Sequence, residues 1–320
     1  MTYEQFKAEI CRQIQQRLDP GTSIQLQPIH KNNGLILDGL TISTSQSNIS
    51  PTIFLNYYYE KQNIFPDFEA ICRDILLTYE HNKPTENMDL DFFTDYELVK
   101  DHLAYRIVNY EKNKELLKTV PHLKYLDLAV IYYCLLKISK KGSATILIHN
   151  SHLKLWNISS AMLHKQTCQT TPQLLPYDFS SMSAILSEAF NDTLSPLQDT
   201  GGTDLSDLYS ITGSPHTDLS AAESFCAMYV LTNSHKLYGA SCILYPGLLK
   251  RIAEQLDADL LILPSSIHEV IILPAASPRR HAGFRNMVAE INQTELAVDE
   301  VLSSRIYYYS RSQKALSICP

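Results

Sequence analysis

Three polar residues beside one apolar hairpin are the candidates for catalysis. Ser266, His268 and Glu269 lie within DLLILPSSIHEVIILP, whose two apolar halves predict a tight hairpin with Ser265-Ser266 at its tip. A serine near a histidine is the pattern of a nucleophile and its general base. The pattern is incomplete, because no orienting carboxylate or oxyanion hole can be identified beside it. A hydrogen-bonded structural histidine and a glutamate at a strand end are the competing interpretation.

The predicted strand separates His268 from Glu269. Consecutive side chains of a strand point to opposite faces, so these two residues cannot form an acid–base dyad with each other. Both faces have apolar neighbours, as in a strand covered on both sides. One of the two ionisable groups is therefore a candidate for desolvation, which shifts a pKa and is a mark of functional sites.

Arginines at a predicted helix start form a candidate anion site. In Ser277-Pro278-Arg279-Arg280-His281, a serine N-cap followed by proline indicates the first turn of a helix, and Arg285 follows one turn later. Cations are unfavourable at this end of the helix dipole unless an anion binds there. We expect Arg279, Arg280 and Arg285 to bind a small anion or an acidic protein. A solvated basic face, paired with nearby carboxylates, is the alternative.

Cofactor and metal motifs are not found in the sequence. The 10 glycines among 320 residues are scattered and never take the spacing of a dinucleotide or phosphate loop. The seven cysteines are dispersed and odd in number, which fits neither a disulfide framework nor a zinc ribbon. His149 and His152 lack a third ligand nearby. We expect no cofactor and no metal.

Charge and hydropathy exclude two classes of partner. The net charge of −7 disfavours general binding to nucleic acid. The longest apolar run, Leu126–Leu136, is too short to cross a bilayer, and the N-terminal residues lack the apolar core of a secretory signal. The sequence therefore predicts a soluble cytoplasmic protein that contacts neither nucleic acid nor membrane.

Periodicity predicts an α+β fold with mixed, largely antiparallel sheets and packed helices. A helix from Tyr3, a hairpin turning in a type I′ turn at Asn33-Gly34, and a helix from Phe68 form an N-terminal unit, residues 1–88. The polar segment EHNKPTENMDLD separates it from an α+β domain, residues 89–320. In that domain, residues 191–222 have no apolar period and predict a lid or a disordered insertion.

The elements of the second domain follow from their apolar spacing. Asp178 is predicted to cap a helix. The predicted strands are 103–109, 125–136, 143–148, CAMYVLTN, GASCILYP, the two arms of the hairpin, IYYYS and KALSI, and the predicted helices lie at 153–156, after Ser159, at 248–256 and at 284–291. Residues 128–156 and 226–253 both read strand, glycine turn, strand, helix, which suggests a pseudo-repeat.

Four segments carry a resemblance to known sequences. NGLILDGLTI with ISPTIFLN, YLDLAVIYYCLL, and MYVLTN followed by YGASCILYPGLLKRIAEQLDADLLILPSSIHEVIILP resemble a family of uncharacterised proteins from Gram-positive gut bacteria, over nearly the whole chain. Residues 120–273 are similar, more remotely, to a second uncharacterised bacterial family. The resemblance implies a bacterial cytosolic origin and this domain plan, and no activity or site residue.

Two functions follow from these observations. The first is a non-catalytic binding or regulatory protein that engages an acidic ligand or partner, because no catalytic constellation is complete. The second is an enzyme, a hydrolase or transferase, with its site near the hairpin at 265–269 beneath the loop at 191–222.

Overall fold

The computed structural model describes residues 1–44, 50–65, 67–83, 91–139, 142–185, 187, 228–264, 266–275 and 296–319. Within these ranges, helices and three sheets of antiparallel strand pairs confirm the predicted α+β fold. The predicted loop at 191–222, the three arginines 279, 280 and 285, and the predicted helix at 284–291 lie outside the described residues. The described helices include none that is long and apolar enough to cross a membrane.

The N-terminal elements share a hydrophobic core of their own. They are α1 (Tyr3–Arg17), β1 (Ser23–His30), β2 (Ile36–Ser43), β3 (Thr52–Phe54), α2 (Leu55–Glu60) and α3 (Phe68–Asn82). Thr2 caps α1 by accepting from the N–H of Gln5, and Asp67 caps α3 by accepting from Ala70. The apolar stripes of α1 and α3 pack on the three-stranded sheet, and the residues buried there are Phe6, Ile10, Ile14, Leu40, Ile42, Ile71 and Ile75. The division at residue 88 stays a prediction.

The tip of the first hairpin has the predicted residues and a longer turn. Asn33 and Gly34 both have positive φ, at 58° and 72°, as the sequence predicts. The strand pairing ends at His30 and Ile36, and the Lys31 N–H donates to the carbonyl of Leu35 at 2.7 Å. Beyond this Lys31–Leu35 hydrogen bond the connection has three residues, Asn32–Gly34. The predicted two-residue connection is therefore wrong, because it is one residue too short.

The middle of the chain forms a four-stranded sheet around one long strand. Its elements are α4 (Tyr96–Val99), β4 (Leu103–Asn109), α5 (Lys114–Leu117), β5 (His122–Tyr125), β6 (Leu128–Ser139), β7 (Gly142–Leu147), α6 (Asn150–Trp156) and α7 (Ser160–Leu174). β6 is central. β4 pairs with one side of it, and β5 and β7 both pair with the other side, β5 along the first part of β6 and β7 along the rest. Short 3-10 turns at Gln62–Ile64, Asp91–Thr94 and Lys100–His102 complete the connections before β4.

The free edge of β4 is sealed by side-chain hydroxyls. The N–H of Tyr105 donates to Thr171 Oγ1 at 3.0 Å, and the N–H of Ile107 donates to Ser241 Oγ at 3.2 Å. Thr170 Oγ1 donates to the carbonyl of Leu103. These bonds satisfy an otherwise open strand edge and dock α7 firmly against β4.

The C-terminal part is a six-stranded antiparallel sheet in the order β13-β12-β10-β11-β9-β8. Its elements are β8 (Tyr177–Ser181), β9 (Tyr229–Asn233), a 3-10 helix (Gly239–Leu244), α8 (Leu248–Gln255), β10 (Asp259–Leu263), β11 (Val270–Ala275), β12 (Tyr307–Ser310) and β13 (Ala315–Ile318). The four-stranded and six-stranded sheets contribute to one large hydrophobic core, in which Tyr105 and Tyr132 lie with Leu260 and Tyr307.

The structure corrects two predicted elements. Asp178 lies within edge strand β8 and pairs with Thr232, and the short helix after it is capped by Ser181, whose Oγ accepts from Ala184 at 3.2 Å. GASCILYP contains a buried 3-10 helix, Gly239–Leu244, in place of the predicted strand. The segments 128–156 and 226–253 consequently differ in their second element.

The structure also moves His268 and Glu269 out of a strand. The ladder between β10 and β11 ends at Leu263 and Ile271, so both residues belong to the connection between the strands. The alternation argument that placed them on opposite faces of a strand therefore does not apply to them.

Candidate functional site

The predicted residues Ser266, His268 and Glu269 lie together at the tip of the second hairpin. Ser266 is buried, and its Oγ accepts from the backbone N–H of His268 at 3.0 Å. His268 Nδ1 lies 2.9 Å from the carbonyl of Lys236, a contact in which Nδ1–H is the donor. The imidazole stacks on Tyr238, with ring centroids 5.9 Å apart. The serine hydroxyl is therefore used by the backbone and not by the imidazole.

A cleft of about 690 Å³ lies between the two larger sheets, away from that tip. Its walls come from β4, β5, α7, the segment from the 3-10 helix to α8, and β12 and β13. Tyrosines and leucines together make up much of the lining, which includes Tyr105, Tyr125, Tyr245, Tyr309, Leu123, Leu316, His164, Cys168, Lys250 and Lys314. This volume lies within the range of small-molecule sites. Ser266, His268 and Glu269 are not among the described residues that line it.

One wall of the cleft carries a chain of three polar side chains. His164 and Cys168 are one turn apart on α7 and face the same way. Cys168 Sγ lies 3.5 Å from His164 Nε2, and Tyr132 Oη lies 3.1 Å from His164 Nδ1. A thiol, an imidazole and an orienting hydroxyl are the components of a cysteine–histidine nucleophile.

Burial keeps this chain of side chains neutral. It raises the pKa of the Cys168 thiol and lowers the pKa of His164, so both groups are uncharged at neutral pH. Burial also raises the pKa of Tyr132. Tyr132 Oη and His164 Nδ1 share one hydrogen bond, and when Tyr132 is its donor, Nε2–H points to Cys168. In this tautomer the imidazole has no lone pair for the thiol proton.

Tyr105 lies in the cleft wall with an unpartnered hydroxyl. Its side chain is 1% exposed, and its hydroxyl is buried without a hydrogen-bond partner. The ring of Tyr105 meets that of Tyr245 edge to face at 6.3 Å. Tyr245, by contrast, donates to the carbonyl of Leu175 at 2.7 Å. A buried hydroxyl without a partner is unfavourable by about 1–3 kcal/mol.

The rim of the cleft is basic. Lys250 and Lys314 line it, and no carboxylate of the described residues forms an ion pair with Lys314. Glu254 lies one turn after Lys250, at an Nζ–O distance of 3.6 Å, and is the acidic residue of the adjoining depression. Apolar and aromatic walls with cations at the rim fit a ligand that has an apolar body and an anionic end.

Metal ligation is not part of this geometry. No group of three or more histidine, cysteine, aspartate or glutamate side chains in the described part of the chain is placed to hold a metal ion. His149 and His152, three residues apart at the start of α6, contact each other: the N–H of His149 donates to His152 Nδ1 at 3.1 Å.

Comparison with protein families identifies the chain. Residues 3–311 match the model of a Family of unknown function (DUF5688). The chain belongs to this family. Comparisons with curated proteins and with solved structures found no match. The family model confirms the resemblance to an uncharacterised family over nearly the whole length of the chain, and it brings no activity with it.

The cleft of this DUF5688 chain was missed by the sequence analysis. Its lining residues come from positions 105 to 316, and their proximity depends on the packing of the two sheets. One local signal was available: HKQTC places His164 and Cys168 at i and i+4 within a helical segment. Thr167, Thr170 and Thr171 on the same helix are also buried. Because threonine is polar, the spacing of apolar residues did not predict this buried face.

Proposed function

We propose that the chain is a non-catalytic binding protein for a small amphipathic anion. The apolar body of the ligand lies between the tyrosines of the cleft, and its anionic end lies near Lys250 and Lys314. The observation that carries the proposal is the open cleft, with aromatic and apolar walls and a basic rim. The proposed ligand is an anion, as expected from the sequence, but its proposed place is the cleft and not the arginines 279, 280 and 285.

A binding role fits the protonation of the cleft better than a catalytic one. The thiol and the imidazole in its wall are both neutral, so no thiolate is available for attack at neutral pH. The alternative site at 265–269 has its serine engaged by the backbone. The anion site at Arg279, Arg280 and Arg285 stays a prediction.

A blocking substitution tests the cleft directly. Anilinonaphthalene sulfonate has an aromatic body and one anionic group, and its fluorescence reports binding. We expect saturable binding to the wild type and a loss of affinity of at least about tenfold in Ala315→Trp, because the indole occupies the cleft. Ser317→Trp is the matched control: it lies two residues on, on the same face of β13, and is not a lining residue. Equal affinity of the two variants contradicts the proposal.

A thiol enzyme is the second candidate function, favoured by the chain of Tyr132, His164 and Cys168. In this alternative, Nδ1–H donates to Tyr132 and Nε2 accepts the proton of the thiol. The sulfur bonds to the acyl carbon of an ester or amide substrate, the bond from that carbon to the alcohol or amine breaks, and this leaving group takes the proton from Nε2. Water then hydrolyses the thioester and restores the thiol. The two functions differ in the pKa that they require of Cys168.

The pH dependence of Cys168 alkylation separates the two functions. The raised pKa of the thiol keeps it protonated at neutral pH, so iodoacetamide reacts more slowly than with N-acetylcysteine amide. The rate then rises only above the ordinary pKa of a cysteine. Site-resolved mass spectrometry measures the adduct, and Cys168→Ser is the control for its assignment. A rate already maximal at neutral pH, and reduced by His164→Gln, supports the enzyme instead.

We also propose that the protein belongs to a bacterial cytoplasm. The described cysteines Cys11, Cys72, Cys134, Cys168 and Cys242 form no disulfide, which suits a reducing compartment. The resemblance to proteins of Gram-positive gut bacteria supports the bacterial origin.

A further inference from the structure

Arg106 lies on β4 next to Tyr105 and points to the opposite face of the sheet, away from the cleft. It is half-buried, and no carboxylate of the described residues forms an ion pair with it. Its Nε is fully buried and has no hydrogen-bond partner. The guanidinium lies over the ring of Tyr238, 4.4 Å from the centroid, and this cation–π contact is its one described interaction.

A second unpartnered donor lies beside Arg106. Tyr133 is 2% exposed, and its hydroxyl has no hydrogen-bond partner. The strand register pairs Ala104 with Tyr133 and Arg106 with Ile131, so Arg106 and Tyr133 are diagonal neighbours on one face. Burial raises the pKa of Tyr133, and the positive charge of Arg106 opposes that rise, as expected for adjacent groups.

The surroundings of these two donors are apolar. Ala104, with its small side chain, lies directly opposite Tyr133. Leu174, Leu237 and Tyr238 pack against the same cluster. The ring of Tyr133 meets Tyr238 edge to face at 5.4 Å, and His268 stacks on Tyr238. Tyr238 is half-buried, as Arg106 is, so the cluster reaches the surface.

The guanidinium of Arg106 is unpaired and partly buried, and its Nε–H and the neighbouring Tyr133 hydroxyl are both unused donors. This arrangement is unfavourable in the unliganded protein. A water molecule supplies an acceptor but no charge, whereas an anion supplies both. We infer that Arg106 and Tyr133 form a binding site for the carboxylate of a small molecule, with Tyr238 as the platform that holds the guanidinium. A carboxylate carries one charge and is planar, which matches one guanidinium, whereas a phosphate dianion leaves a charge uncompensated in apolar surroundings.

This site is independent of the proposed cleft, because it lies on the other face of the same strand. The test is the rise in melting temperature of the full chain with sodium acetate, at constant ionic strength, compared with sodium chloride and sodium phosphate. Acetate has a carboxylate but no aromatic body, so it does not probe the cleft. We expect acetate to stabilise the wild type in a saturable manner, and chloride and phosphate to have no comparable effect. Arg106→Gln should abolish the acetate effect.

A matched pair of tyrosine variants keeps the test valid if Arg106→Gln fails to fold. Tyr133→Phe and Tyr3→Phe each remove one buried hydroxyl that has no partner, and Tyr3 packs against the N-terminal core. Tyr133→Phe should weaken acetate binding by at least about fivefold, since one hydrogen bond to the anion is lost. Tyr3→Phe should leave it unchanged. Equal responses of the two variants, or equal stabilisation by acetate, phosphate and chloride, overturn the inference.

Discussion

Gly239→Ala is expected to destabilise the fold by about 3 kcal/mol or more, because an added methyl group has no room. A Cβ at this position lies 2.8 Å from the backbone nitrogen of Asn233 and closer still to Thr232 Oγ1 and the carbonyl of His268. Two of these three atoms belong to the backbone, and the Thr232 hydroxyl is itself bonded to the His268 carbonyl at 2.7 Å. Room for the added methyl group therefore requires the 3-10 helix that begins at Gly239 to move away from β9 and from the second hairpin tip.

Gly247→Ala is the control for the loss of a glycine as such. Gly247 has φ +71° and no atom within 4 Å of an added Cβ, so alanine there meets backbone strain of about 1 kcal/mol and no clash. Urea denaturation of the two variants measures the difference. If Gly239→Ala loses no more stability than Gly247→Ala, the close packing of the hairpin tip on the 3-10 helix is contradicted.

Asn33→Ala is expected to be the second most damaging substitution, at about 3–4 kcal/mol. The Asn33 side chain joins the tip of the first hairpin to the rest of the chain. Its Nδ2 donates to the carbonyls of Val298 and Val301, each at 2.7 Å, and its Oδ1 accepts from Asn113 Nδ2 at 3.0 Å. Asn33 also has left-handed backbone angles, φ 58° and ψ 28°, which alanine disfavours.

Asn33→Gly separates the side chain from the backbone. Glycine accepts the left-handed conformation but removes the three side-chain hydrogen bonds, so we expect it to lose about 1 kcal/mol less stability than Asn33→Ala. Thermal and urea unfolding of both variants measure the two contributions. Wild-type stability of Asn33→Gly contradicts the role of the side chain in joining the two parts.

Local pattern was sufficient for most elements of the fold. The helix at Tyr3–Arg17, the strand at Leu103–Asn109 and the strand at Tyr307–Ser310 follow from apolar spacing, since each buries one regular face or both. Gly239–Leu244 does not follow from it. A short apolar run is compatible with a strand or a buried helix, and apolar spacing alone does not distinguish them.

The candidate sites depended on information that the linear sequence does not hold. Tyr105 and Lys314 line one cleft although more than half of the chain separates them. The unused hydroxyls of Tyr105 and Tyr133 cannot be distinguished in the sequence from that of Tyr245, which has an acceptor in the Leu175 carbonyl. The anion site expected at Arg279, Arg280 and Arg285 lies outside the described residues and stays a prediction.

The charge selectivity of the cleft tests the proposed function most directly. Anilinonaphthalene sulfonate and phenylnaphthylamine share an aromatic body and differ in the sulfonate. We expect the wild type to bind the sulfonate about tenfold more tightly, and the double variant Lys250→Met, Lys314→Met to lose that preference, because the two rim cations are removed. Unchanged affinity for phenylnaphthylamine in the variant shows that the apolar walls are intact. The same preference in both proteins, or no saturable binding by the wild type, contradicts the account.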